Sequence, residues 1–90
     1  MQSEYLKMGE RFAELRKVLS RDSGEEWTQP RLAKKLRVSQ EVIHRLERGS
    51  GSIENLAKLV EFYHDKGFNM RWVMAADNSS IGMYRDKKAL

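Results

Sequence analysis

Residues 28–49 read TQPRLAKKLRVSQEVIHRLERG. Thr28 is a good helix N-cap, and Pro30 sits in the first turn, where a missing N–H costs nothing. Since Pro30 has no N–H, the Thr28 hydroxyl is expected to accept from Arg31. Leu32, Ala33 and Leu36 form one apolar stripe. Arg37-Val38-Ser39 is a break of three residues, and Ser39 caps a further helix running to about Arg48. Ile43 and Leu46 point inward from that helix, and Gly49 closes it. The stretch predicts two short amphipathic helices joined by a tight turn.

The same stretch holds the chain's positive charge. The whole chain has a net charge of +4. Residues 28–48 carry Arg31, Lys34, Lys35, Arg37, Arg45 and Arg48 against Glu41 and Glu47, so this one segment is itself +4. Residues 1–27 are slightly acidic. A surplus confined to one helical pair fits a polyanion footprint better than a diffuse solvated surface.

Outward from this pair, Met8, Phe12, Leu15 and Leu19 recur at helical spacing, which predicts a first helix from about Tyr5 to Leu19. Residues 20–27, SRDSGEEW, read as a polar loop. After Gly49, Ser50-Gly51-Ser52 is a short linker, and Ser52 can cap a fourth helix. Ile53, Leu56, Leu59, Val60 and Tyr63 supply its core face. His64 to Gly67 reads as a turn. Asn69 can cap a short fifth helix anchored by Trp72 and Val73. No strand and no internal repeat is apparent. The expected fold is all-α, with five short helices in one domain over residues 1–76. Residues 77–90 form a tail, either disordered or ordered only against a partner.

Composition narrows the function classes. Ninety residues make one small domain. With no cysteine, disulfides and thiolate metal sites are excluded. The two histidines, His44 and His64, lie twenty residues apart, and there is no Gly-rich phosphate loop or metal-ligand cluster. No catalytic residue, metal or cofactor is expected. No apolar run approaches the roughly 20 residues of a membrane span, and the N-terminus lacks a signal-peptide core. A cytoplasmic location, bacterial or phage, is expected.

Taken together, GERFAELR, the helix pair, ENLAKLVEFY and NMRWVM resemble the phage-repressor-like (Cro/Xre) helix-turn-helix family, over residues 8–74. The joint order of TQ, LA, VS and I-x-x-LE-x-G carries the resemblance. It implies a lambda-repressor-like domain that binds double-stranded DNA through its third helix. By position, Gln29 is similar to a glutamine that binds phosphate and braces the first residue of the next helix. Ala33 takes the small position at the helix crossing. Arg16 and Glu47 match a structural ion pair. Arg37 stands where the family usually has glycine at positive φ, which costs a side chain about 1 kcal/mol or more. The HDK stretch at 64–66 looks like a small insertion.

In this motif the recognition helix meets base edges. Gln40 can bond adenine bidentately, Arg45 can fork onto guanine, and Glu41 can accept from cytosine. His44 is a further base or phosphate candidate. Thr28, Gln29, Arg37, Ser39 and Arg48 are the phosphate candidates. The family usually binds as a homodimer on pseudo-palindromes. Phe68, Met70, Met74, Met83 and Tyr84 are the candidates for that dimer surface. The leading expectation is a sequence-specific transcriptional regulator, a repressor. The alternative is the antitoxin of a toxin–antitoxin pair, with the tail binding the toxin.

Overall fold

A computed structural model of the chain describes residues 4–85. Five helices follow in order: α1 (Glu4–Ser23), α2 (Gln29–Leu36), α3 (Gln40–Leu46), α4 (Ile53–Asp65) and α5 (Met70–Met74). Among the described residues there is no strand, only an isolated antiparallel bridge between Phe68 and Tyr84. The architecture is all-α, as the hydrophobic spacing predicts.

Local chemistry sets the helix starts. Thr28 accepts from the Arg31 N–H, Ser39 from Val42, Ser52 from Asn55 and Asn69 from Arg71. Each cap satisfies a backbone donor that the helix cannot. The ends of α2, α3 and α4 share one pattern. Val38 N–H bonds Ala33 O, Ser50 N–H bonds Arg45 O, and Phe68 N–H bonds Tyr63 O. These are Schellman closures, each needing one left-handed residue. Gly49 (φ 84) and Gly67 (φ 98) fill that place in two of them, and Arg37 (φ 60) fills it in the first.

The core gathers one face from every helix. Phe12 and Leu15 of α1, Leu32 of α2, Ile43 of α3, Leu59 and Tyr63 of α4, and Val73 of α5 are fully buried, as is Phe68 beyond α4. Burying each such side chain is worth about 1.5–3 kcal/mol. Tyr63 is the hub: its ring lies 5.9 Å from Phe12, 5.2 Å from Phe62 and 6.0 Å from Phe68. Burial first, and then the charge of Glu47, push its phenol well above the ordinary tyrosine value.

Several boundaries differ from the sequence reading. α1 runs one turn further, to Ser23, because Ser20 turns its hydroxyl onto Arg16 O and leaves the helix intact. Gly24 (φ 72) then ends it. The polar loop is correspondingly short, and Trp27, within it, turns its side chain into the core, only 7% exposed. Its backbone N–H donates to Ser20 Oγ at 2.7 Å, and its ring tilts against Phe62 at 5.3 Å. His64 and Asp65 belong to the last turn of α4, so HDK does not form a separate turn. Ile53, expected in the core, is 86% exposed: it opens α4 at the rim of a cleft that it lines with Tyr5, Met8 and Leu46. α3 ends at Leu46, and residues 47–49 tighten into its closing turn.

Candidate nucleic-acid interface

The path from α2 to α3 decides which side chains face outward. Leu32 and Ala33 bury the inner side of α2, and Ile43 and Leu46 that of α3. Between them, Arg37 adopts φ 60, ψ 44. A non-glycine residue at positive φ is strained, and here the closing bonds from Arg37 N–H to Lys34 O and Val38 N–H to Ala33 O hold it there. The turn leaves the Arg37 side chain exposed.

On α3, burying Ile43 and Leu46 turns Gln40, Glu41, His44 and Arg45 to solvent, with Arg48 just beyond the helix end. All four base-reading candidates and Arg48 are thus exposed on and beside one short helix. Arg45 Nε lies 3.2 Å from Glu41 Oε1, one turn earlier. Both groups are well exposed, so the pair adds only about 0.3–0.5 kcal/mol, and either can be recruited by a ligand. Ser39 and Thr28 spend an acceptor lone pair on their caps, and each hydroxyl keeps its own O–H to donate.

A second set of bonds fixes how α3 is held. Arg16 of α1 grips Glu47 with two parallel bonds, Nε to Oε2 at 2.8 Å and Nη2 to Oε1 at 3.0 Å. Arg16 Nη1 also donates to Trp27 O. The Glu47 side chain is 6% exposed and that of Arg16 16%. Donation to Glu47, opposed in part by burial, holds the guanidinium proton more tightly than usual. The structural ion pair expected from the sequence is therefore formed. Gln29 departs from the bracing role that the resemblance implies: its amide donates to Glu47 Oε1 at 2.8 Å instead of reaching Gln40. A buried carboxylate is tolerated only when it is paired and hydrogen-bonded, and Gln29 adds to that pairing. Close packing at this joint depends on Gly9. A Cβ there would lie 2.5 Å from Gly49 N and 2.7 Å from Glu47 O.

The cations divide into two groups. Lys34, Lys35, Arg37 and Arg48 are exposed, and among the described residues none of them forms an ion pair. Arg31 is already engaged. It pairs with Glu25 at 3.2 Å, donates to Glu26 O, and lies 4.1 Å over the Trp27 ring. Lys66, from the end of α4, joins the same aromatic at 5.6 Å. Neither Lys66 nor Trp27 stands out in the sequence as part of a site; the spacing of Trp27 and Arg31, four residues apart, is the one signal of their contact.

The proposed dimer residues scatter. Phe68 is 1% exposed and belongs to the chain's own core, so it leaves the dimer set. Met70 and Met83 are partly buried against that core. Met74 remains exposed. Tyr84 is half exposed, stacked on Phe68 at 5.4 Å, with its hydroxyl donating to Asp22 at 2.6 Å. Residues 77–85 turn back onto the domain as a strap: Asn69 N–H bonds Met83 O, and Arg85 N–H bonds Gly67 O. Residues 86–90 of the expected tail lie outside the described residues.

Among the described residues no helix is long and apolar enough to cross a membrane, and no cluster of acids and histidines could hold a metal ion. No family model, curated protein or solved structure matches the chain.

Proposed function

We propose that this protein is a sequence-specific double-stranded DNA-binding regulator, a repressor of the lambda-repressor-like helix-turn-helix kind. The observation that carries the reading is the α2–turn–α3 unit. A capped helix, a strained left-handed turn and a second capped helix leave Gln40, Glu41, His44, Arg45 and Arg48 exposed together. Unpaired Arg37, in the turn before α3, joins Arg48 as a cation beside them. This combination of polar base-reading groups and phosphate-binding cations is what a major-groove reader needs.

One such unit supplies few base contacts, so specific binding calls for two copies on a pseudo-palindrome, with half-sites about 34 Å apart. With about five phosphates neutralised per subunit, log affinity falls with log salt at a slope of about −4 to −5 per subunit. The test is selection of bound duplexes from a random DNA library, repeated at two salt concentrations. Enrichment of a pseudo-palindrome with adenine and guanine at fixed places in each half supports the reading. Binding that never enriches a sequence overturns it.

A further inference from the structure

We propose that a second surface, the cleft between the outer side of α2 and the end of α4, binds an acidic peptide segment of a partner protein. Trp27, Arg31, Lys34, Lys35 and Lys66 line it. None of them comes from α3 or from the α2–α3 turn, so the cleft is separate from the proposed base-reading face.

Each lysine has a local reason to be where it is. Lys34 and Lys35 sit in the last turn of α2, and Lys66 caps α4, where cations offset the helix dipole. Those reasons do not account for three lysines and an arginine converging on one aromatic floor. Among the described residues, Lys34, Lys35 and Lys66 have no acidic partner. A concave site lined by one sign of charge over an apolar wall focuses its field and draws an opposite charge.

Two observations select a carboxylate-bearing peptide over a nucleic acid. First, a carboxylate already sits at the rim: Glu25 Oε2 lies 3.2 Å from Arg31 Nη2. Both side chains are substantially exposed, so an incoming carboxylate can replace it at little cost. Second, the floor is apolar. The Trp27 ring, backed by Phe62 at 5.3 Å, lies 4.1 Å beneath the Arg31 guanidinium and 5.6 Å from Lys66 Nζ. Trp27 itself is only 7% exposed and its ring is already covered by that guanidinium, so an incoming residue meets the aliphatic stems of Arg31 and the lysines. These stems pack against the methylene stem of a glutamate while their charged ends take the carboxylate.

The test is a titration of the full chain, labelled with nitrogen-15, with a blocked octapeptide of glutamate and leucine, and separately with a short DNA duplex. Saturable shifts at the Trp27 indole and the amides of Arg31, Lys34, Lys35 and Lys66 are expected with the peptide. The Lys35→Glu/Lys66→Glu variant should bind it at least about tenfold more weakly while keeping its helical circular dichroism. Arg45→Ala should bind it as the parent does. Peptide shifts that map to α3, or that never saturate, overturn the proposal. So does a cleft that responds to the duplex and not to the peptide, which would make it an additional phosphate contact. Since no DNA is needed for the peptide arm, its outcome is independent of the proposed function.

Discussion

Arg16 and Glu47, thirty-one residues apart in sequence, form a two-bond ion pair that ties α1 to the end of α3. Glu47 is the one buried acid among the described residues, and Gln29 gives it a third donor from α2. Removing one member of such a pair leaves an uncompensated charge in a poorly solvated place. Glu47→Ala is expected to cost about 3 kcal/mol, read as a fall in the urea midpoint. Replacing both partners with apolar residues of similar volume should recover much of that loss. If the double variant is as unstable as Glu47→Ala, charge burial is not the cause.

Gly9 marks a close approach between α1 and the turn that ends α3. Alanine normally favours a helix interior over glycine by about 1 kcal/mol. Here its Cβ would meet backbone at 2.5 Å, and backbone cannot rotate away. Gly9→Ala should therefore destabilise by about 2–3 kcal/mol despite its better propensity. Thermal unfolding monitored by circular dichroism decides the sign.

Arg37 sits at φ 60 in a place where glycine is unstrained. Arg37→Gly should raise stability by about 1 kcal/mol. If the side chain contacts a phosphate, the same change weakens DNA binding and flattens the salt slope by about one. A variant that is more stable with an unaltered salt slope would remove Arg37 from the phosphate set.

On α3, side chains are expected to separate by role. Gln40→Ala and Arg45→Ala should relax specificity at defined base pairs, costing about 1–3 kcal/mol each on the preferred sequence. Arg48→Ala should weaken binding to all sequences alike. Glu41→Ala should leave stability nearly unchanged while freeing Arg45 from its local partner. Parallel binding curves on matched and mismatched duplexes separate these effects. Unchanged discrimination in Gln40→Ala and Arg45→Ala would mean that α3 is not the reading helix.

The strap has a pH signature. The bond from Tyr84 to Asp22, with slight burial and the negative charge of Asp22, raises the phenol above its ordinary value. A folded-state value above the unfolded one means that the contact contributes fully below about pH 10. It is lost as pH rises through the folded value. Amide signals of residues 83–85 should therefore shift in alkali before those of α2 and α3 do. In Asp22→Asn that step should move to lower pH, and a step that stays in place would rule out the contact as its origin.

Short-range chemistry was the legible part of this chain. The caps at Thr28, Ser39, Ser52 and Asn69 follow from a hydroxyl or amide placed two or three residues before a free N–H. The exposed set on α3 follows from the burial of Ile43 and Leu46. What depends on distant partners was not legible. Trp27 is core only because Phe62 lies behind it, thirty-five residues on. Ile53 keeps helical spacing with Leu56 and Leu59 yet stands at the rim of a cleft beside Tyr5 and Met8 rather than inside the core. Gly9 looks like a weak point in a helix until the backbone of Glu47 and Gly49 is brought beside it. Residues 77–85 lack apolar periodicity because they are held by main-chain bonds and one stacked ring rather than by a helical face.

Arg11 donates to the carbonyls of Val73 and Ala75, the outgoing end of α5. α5 has five residues, too few to persist on their own in water. Its seat is therefore supplied by α1, sixty-two residues earlier in the chain at the Arg11–Val73 bond. During synthesis the chain emerges N-terminus first, so α1 exists before α5 and the strap leave the ribosome. A permuted gene that encoded α1 last would reverse this order. Residues 70–85 would then wait, without a place to dock, until translation was complete.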